Sequence, residues 1–241
     1  MKKNFFVGIL IVGMCFALTG CKSSDYNSAV TAAQADNYLE AISLFNSLGD
    51  YKDSKEQLLS VINEYAESLI KKDKFDDVID LYTQYSSVSD FSAKLDEIKS
   101  EKEKYDIYAE AKSLFGSNKI DAGFEKLATL PEEYRNVKKI TQSYADLKDT
   151  PFKGSHRNGS AGDVSQKIQF TLEFSSYDEC FQLHAYKAVY WSDGSVYKDY
   201  DYYLDASDIK GDTIKVGKFT WVVNSNGSIT ETEKGETYKY N

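Results

Sequence analysis

The chain has 241 residues, which is enough for one large domain or two of ordinary size. Its 38 acidic residues outnumber its 29 basic residues and leave a formal net charge of −9. This balance excludes a general nucleic-acid-binding surface, because phosphates require clustered lysine and arginine. It also disfavours adhesion to anionic lipid through surface charge alone.

The N-terminus has the three parts of a bacterial secretion signal. Lys2 and Lys3 precede an uncharged, mostly apolar run of 14 residues from Phe5 to Leu18. A transmembrane helix needs about 20 apolar residues, so this run has the length of a signal segment. The sequence Leu-Thr-Gly-Cys then ends the run at Cys21 and resembles the lipobox of bacterial lipoproteins.

That resemblance implies transfer of diacylglycerol to the Cys21 sulfur and cleavage before it. Residues 1–20 would be a signal peptide, and residues 21–25 a lipidated leash. The product would sit on the extracytoplasmic face of the cell membrane, held by its palmitate-like acyl chains. Two other interpretations remain, namely an ordinary cleaved signal with a chance cysteine and a retained membrane span. The choice between an inner and an outer membrane stays open.

Residues 26–149 are predicted to form a domain of helical repeats. Three tyrosines open similar stretches, and a second aromatic residue follows each after 25 or 26 positions; the pairs are Tyr26 with Tyr51, Tyr65 with Phe91, and Tyr108 with Tyr134. A short amphipathic segment lies between the members of each pair. The resulting period of about 40 residues is typical of stacked helical hairpins. We expect six or seven helices.

The segment from Tyr38 to Ser54, with its Gly-Asp-Tyr-Lys-Asp-Ser turn, resembles a tetratricopeptide-like repeat. The resemblance implies a platform that binds protein partners. The alternative is that the helices only pack together and hold the second half of the chain away from the membrane.

Residues 150–166 are rich in Gly, Ser and Asn and are predicted to be a linker. Residues 167–241 alternate polar and apolar side chains, with turn signals every 8–14 positions. This pattern predicts an all-β antiparallel meander of about seven strands, either a sandwich or a barrel. The layout resembles lipocalin-like bacterial modules. One apolar strand face, which runs from Phe181 to Trp191, is interrupted by Lys187.

The sequence contains no phosphate loop, nucleophile elbow, Cys-x-x-Cys or His-Glu-x-x-His motif. Its two histidines, His156 in a predicted loop and His184 in a predicted strand, lack metal-ligand spacing. His184 is expected to be structural, as is usual for a histidine in a half-exposed strand. Cys180 is expected to be a half-buried strand residue. We therefore predict no cofactor, no metal site and no enzymatic activity.

One segment is a candidate ligand contact. If residues 197–205 form a strand, Tyr197, Asp199, Asp201 and Tyr203 share one face. Tyrosine rings beside carboxylates can stack on and hydrogen-bond a sugar or a peptide. The simpler interpretation is that tyrosine favours strands, covers a core with its ring and reaches water with its hydroxyl.

Together these features predict a membrane-anchored lipoprotein that acts as a non-catalytic scaffold or protein-interaction module of the cell envelope. The alternative is a ligand-binding lipoprotein whose β domain holds a small apolar, peptide or glycan ligand. An enzyme acting on the cell wall ranks third. The partner and the oligomeric state are left open.

Replacing Cys21 with Ser removes the thiol that would carry the lipid. One acyl chain binds a membrane weakly and two or three bind it almost permanently. We expect the Cys21→Ser variant to remain unprocessed or to be released, as measured by membrane fractionation and intact mass. Cleaved protein retained in the membrane at the wild-type level would refute lipidation at Cys21.

Overall fold

The computed structural model describes residues 22–158 and 164–240, and for Val164 its backbone alone. Within these residues α-helices precede a β-sheet, which confirms the predicted α+β order. The seven described helices are α1 (Lys22–Gln34), α2 (Tyr38–Leu48), α3 (Ser54–Ile70), α4 (Phe75–Gln84), α5 (Ser92–Gly116), α6 (Ile120–Leu127) and α7 (Val137–Leu147). None of them combines the length and the apolar character that a membrane crossing requires.

The nine described strands form one antiparallel sheet. They are β1 (Gly154–Asn158), β2 (Val164–Ser175), β3 (Cys180–Trp191), β4 (Val196–Leu204), β5 (Ile209–Lys210), β6 (Thr213–Val216), β7 (Phe219–Val223), β8 (Ile229–Glu231) and β9 (Glu236–Tyr240). Their order in the sheet is β4-β3-β2-β1-β9-β8-β7-β6-β5. The sheet rolls up, because Tyr200 and Tyr202 of β4 reach Phe219 of β7, with ring centroids 4.8 and 6.3 Å apart. The sheet is therefore nearly a barrel.

The chain divides into two compact units between Lys102 and Glu103, inside α5. The sequence placed its boundary near residue 150, where the composition changes. The difference arises because the last helices pack against the sheet. The ring of Phe115 in α5 lies 5.2 Å from those of both Phe174 and Phe181 in β2 and β3. The second unit thus contains helical and strand residues in one core.

The predicted linker 150–166 is partly a strand. β1 pairs with β2 over five residues and with β9 at its far end. Phe152 is fully buried and packs on Phe170, with ring centroids 5.2 Å apart. His156, predicted in a loop, lies in β1 and is also buried. Glycine, serine and asparagine in this segment predicted a linker, but Phe152 and His156 are buried and anchor it in the sheet.

Three helix pairs, α1–α2, α3–α4 and α5–α6, are closed by turns of the same form. Each turn has one residue in the left-handed region, namely Asp36, Asp73 or Asn118 with φ between 57° and 58°. Aspartate and asparagine tolerate this region better than other non-glycine residues. The N–H of the next residue donates to a carbonyl oxygen five positions earlier, at 2.9–3.0 Å in all three turns. This geometry ends one helix and starts the next.

The aromatic pairs of the predicted repeat are in contact in two of the three cases. Ring centroids lie 6.1 Å apart in Tyr26–Tyr51 and 6.0 Å apart in Tyr108–Tyr134, both edge to face. In the middle case Phe91 stacks instead on a tyrosine of α4, at 4.6 Å. The helix-pair pattern therefore recurs along the chain, although its side-chain contacts vary.

The segment predicted as a leash is helical from Lys22 onwards and belongs to α1. One turn along this helix, the Tyr26 hydroxyl donates to Asp53 Oδ1 at 2.5 Å. The Tyr26 ring also contacts Phe45 and carries the Lys52 ammonium 4.3 Å above its centroid. These contacts hold α1 at the start of the described chain, so residues 22–25 of the predicted leash form the first turn of a helix. Cys21 itself lies outside the described residues.

In the second unit, Glu179 joins the β2–β3 turn to the helices. Its carboxylate accepts hydrogen bonds from the Tyr108 hydroxyl at 2.7 Å and the Asn136 amide at 2.6 Å, and it pairs with Lys112. Burial opposes the charged form, but these three donors outweigh it and lower the pKa of Glu179 to about 2. The carboxylate therefore stays ionised at neutral pH and holds the turn against α5 and α7.

Large side chains fill the interior of the rolled sheet, including Trp221, Tyr238, Phe170 and Phe219, all at most 3 % exposed. Lys187, which interrupts the apolar face of β3, also points inward and is only 1 % exposed. Its ammonium pairs with the equally buried Glu231 of β8. The ammonium also lies 4.7 Å from the Phe219 ring centroid.

Replacing Lys187 with Met leaves the Glu231 carboxylate buried without its cation. Breaking one side of a buried pair costs about 3–5 kcal/mol, and we expect a loss of that size in the free energy of unfolding measured with urea. The double variant Lys187→Met, Glu231→Gln removes both charges and should recover more than half of the loss. A double variant as unstable as the sum of the two single variants would contradict this account.

Candidate binding surfaces

The alternation predicted for residues 197–204 is present in β4. Tyr197, Asp199, Asp201 and Tyr203 are exposed on the outer face of the sheet. Tyr200 and Tyr202, which alternate with these residues, point towards the core, as does Leu204, which is 2 % exposed. The segment is thus an amphipathic edge strand, since β4 pairs only with β3.

Two of these four residues, Asp201 and Tyr203, belong to a cluster around His184 of β3. The His184 Nδ1 atom lies 3.0 Å from Glu173 Oε1 of β2, and its Nε2 atom contacts Asp201 Oδ1. The Tyr203 ring stacks on the imidazole with centroids 4.7 Å apart and planes 10° apart. Three adjacent strands therefore supply the cluster.

The His184 imidazole has a raised pKa. Partial burial favours the neutral ring, but the hydrogen bonds and charges of Glu173 and Asp201 outweigh it and raise the pKa above 6.5. An imidazolium with a carboxylate on each ring nitrogen and an aromatic ring on its face is a stable cation. The arrangement occupies both nitrogens, so it fits a structural cross-link between strands better than a general base.

The other two predicted residues lie elsewhere. Tyr197 packs edge to face on Trp191 at the end of the β3–β4 hairpin, at 4.7 Å between centroids. Trp191 was expected on the core side of β3, but a register shift after Val189 turns the strand, and Trp191 is 45 % exposed. Asp199 interacts instead with Tyr186, where its charge helps to raise the tyrosine pKa after partial burial. The four residues do not form one site.

An open cleft of about 380 Å³ lies beside the His184 cluster. Glu173 and Tyr203 line one side of it, and the β2–β3 turn lines the other. The most exposed large side chain of this turn is Tyr177, at 93 %. The cleft is open to solvent, and polar and apolar surface line it about equally.

A second surface lies in the helical unit, at the turn that joins α1 to α2. A cleft of about 440 Å³ is lined by Asp36, Tyr38, Leu39, Glu40 and Tyr65, together with Asn37. Tyr38 and Tyr65 stack with ring centroids 5.5 Å apart. The Tyr38 hydroxyl donates to Asp36 Oδ1 at 2.9 Å, and that bond is the main reason for its raised pKa.

This helical cleft combines negative charge with exposed apolar surface. Leu39 is 67 % exposed, although leucine is usually buried. Glu64 and Glu67 of α3 add to the negative potential felt by the Tyr38 hydroxyl. Within the described part of the chain, the cleft lining contains no basic residue.

In residues 22–158 and 164–240, no group of three or more His, Cys, Asp or Glu side chains is placed to hold a metal ion. The thiol of Cys180 is free and 5 % exposed, and burial raises its pKa. A neutral, enclosed thiol is a poor nucleophile.

The chain was compared with known proteins in three ways. It matches no family model, no curated protein sequence and no solved structure. The surfaces described above therefore carry the functional argument by themselves.

Sequence analysis missed the partners of His184 and the role of Lys187. Glu173 and Asp201 are diagonal neighbours of His184 across β2 and β4, and diagonal pairs become visible only when the strand register is known. Lys187 did give a signal, because a charged residue on an otherwise apolar strand face requires a buried partner.

The raised pKa of His184 makes stability depend on pH. Its contribution is complete below the unfolded value of about 6.5 and is lost as pH rises through the higher folded value. We expect Asp201→Asn to flatten the fall in unfolding free energy between roughly pH 6 and 8, measured by urea titration at several pH values. Asp199→Asn changes the same charge on the same strand and serves as control. Equal slopes in both variants would contradict the assignment.

Proposed function

We propose that this protein is a membrane-anchored, extracytoplasmic bacterial lipoprotein that binds a protein partner of the cell envelope without catalysing a reaction. The helical cleft at the α1–α2 turn is the observation that carries the proposal. It combines an exposed leucine, a stacked tyrosine pair and several carboxylates in one concavity. Interfaces are enriched in such aromatic anchors.

The chemistry of the cleft selects the partner. Asp36 and Glu40 face an approaching chain with negative charge, while Leu39 offers an apolar contact. A complementary segment carries lysine or arginine beside an apolar or aromatic side chain. Such a segment pairs its cation with the carboxylates and covers Leu39 at the same time.

We infer in addition that the helix pairs are tetratricopeptide-like. The support is the recurrence of one turn geometry at Asp36, Asp73 and Asn118. Stacked helix pairs of this kind present concave surfaces to extended segments of other proteins. The lipobox-like sequence at Leu18–Cys21 supports the anchored location.

The alternative function is a β domain that encloses a small ligand. For an apolar ligand, this alternative has less support than a protein partner at the helical cleft. The inward side chains of the sheet include Trp221 and Tyr238 at 0 % exposure, so they occupy the space that an apolar ligand needs. A peptide or glycan along β4 would contact Tyr197 and Asp199 at the hairpin end and Asp201 and Tyr203 near His184. These two groups offer no common pocket.

The cleft is tested by a photo-crosslinking residue at position 39 in intact cells. We expect one dominant protein adduct, weakened about tenfold in the variant Asp36→Asn, Glu40→Gln, since each exposed charge pair contributes up to about 1 kcal/mol. The control variant Asp96→Asn, Glu97→Gln removes the same charge from exposed positions of the same unit. A crosslinker at Tyr177 controls for mere exposure.

Two outcomes of this crosslinking experiment would contradict the proposal. Adducts of lipid or wall fragments alone would overturn the proposal of a protein partner. Equal adduct yields in the cleft variant and in the control variant would show that the carboxylates of the cleft do not select the partner.

A further inference from the structure

The mouth of the rolled sheet contains a small pocket whose lining is rich in lysine. It encloses about 190 Å³, and Lys187, Lys198, Lys218 and Lys234 all line it. Among the residues that the structure describes, no carboxylate side chain lines the pocket. The same chain has a formal net charge of −9, so this local excess of cations opposes the overall balance.

The four lysines differ in how they are compensated. Lys187 lies at the buried end of the pocket and is paired with Glu231, which is itself fully buried. The other three are exposed and surround the opening. The rim therefore supplies the net positive charge, while Lys187 and Glu231 together are close to neutral.

Two of the rim lysines lie close to the Tyr200 side chain. Lys218 Nζ donates to the Tyr200 hydroxyl at 2.9 Å and lies 4.7 Å from the ring centroid. Lys198 Nζ lies 5.4 Å from the same centroid. The Lys218 hydrogen bond, followed by Lys198, lowers the pKa of Tyr200. An acceptor at this point is thus stabilised by two ammonium groups.

Like charges so close together repel one another unless an anion is present. The pocket also has aromatic walls, because Tyr200 and Phe219 line it beside the lysines. Low-dielectric walls around charges of one sign concentrate their field within the opening.

We propose that this pocket, formed by Lys198, Lys218, Tyr200 and Lys234 over the Lys187–Glu231 pair, binds a small oxyanion. The ligand class is a phosphate, sulfate or carboxylate group on a compact molecule, because ammonium groups and a phenol hydroxyl can all donate to its oxygens. The volume of about 190 Å³ admits the head group of a lipid but excludes its acyl chains, and it also excludes a peptide. This function is separate from the helical cleft and does not depend on it.

A phosphate group reaches the pocket either as a free solute or as the head group of a phospholipid. Titration of the protein with inorganic phosphate, sulfate or acetate, followed by amide chemical shifts, tests the free solutes. Sedimentation of unlipidated protein with phosphatidylglycerol vesicles, compared with phosphatidylcholine vesicles, tests the head group. Binding to solutes without vesicle preference identifies a free ligand, and preference for the anionic vesicles identifies the membrane source.

The decisive variant is Lys198→Gln, Lys218→Gln, which removes two rim charges and leaves the buried pair intact. The control Lys210→Gln, Lys215→Gln removes two exposed charges of the same sheet that do not line the pocket. We expect saturable binding of at least one probe, with shifts at Tyr200 and Phe219, about tenfold weaker in the rim variant and unchanged in the control. Circular dichroism checks that both variants fold.

Two outcomes would overturn the proposal. One is a shift that grows linearly with anion concentration and never saturates. The other is equal weakening in the rim and control variants, which would indicate general electrostatics. Replacing Lys234 with Gln gives an independent check, since it also lines the opening and should weaken the same probe.

Discussion

Lys187 and Glu231 form a buried ion pair inside the rolled sheet, and the lysine-lined pocket at the mouth of the sheet lies over this pair. Lys187 and Glu231 come from β3 and β8, which are far apart in the order of the sheet. Two charges out of water are stable only when they are paired and hydrogen-bonded, and here the Tyr238 hydroxyl contacts the same Glu231 oxygen at 3.2 Å. The pair therefore favours a curvature of the sheet that brings these strands face to face.

A second constraint joins the last helices to the sheet. The rings of Phe115, Phe174 and Phe181 form mutual contacts of 5.2–5.3 Å, and each such pair contributes about 0.5–1.5 kcal/mol beyond the area it buries. Glu179 adds charged hydrogen bonds at the adjacent turn. Helices of the predicted repeat are thus held in the core of the strand-containing unit.

The helix pairs show how one local pattern acquires different partners. Tyr26 and Tyr108 occupy equivalent places, and both hydroxyls donate to a carboxylate. For Tyr26 the acceptor is Asp53, 27 residues away, whereas for Tyr108 it is Glu179, 71 residues away. The first contact closes a helical hairpin, and the second docks a helix on a β-turn. At Tyr108, Glu179 of the β2–β3 turn thus takes the role that Asp53 has at Tyr26.

The sequence by itself determined that helices precede strands and which side chains alternate between the two faces of β4. Helical spacing before residue 150 and the alternation in residues 197–204 depend only on neighbouring residues, so the helices and the two faces of β4 could be predicted. Tertiary structure decided the division of the chain at Lys102, the partners of His184 and the approach of Lys198 and Lys218 to Tyr200. These depend on strand register, on a local shift after Val189 and on the rolling of the sheet. Such features join residues that are distant along the chain, and no local period of the sequence encodes them.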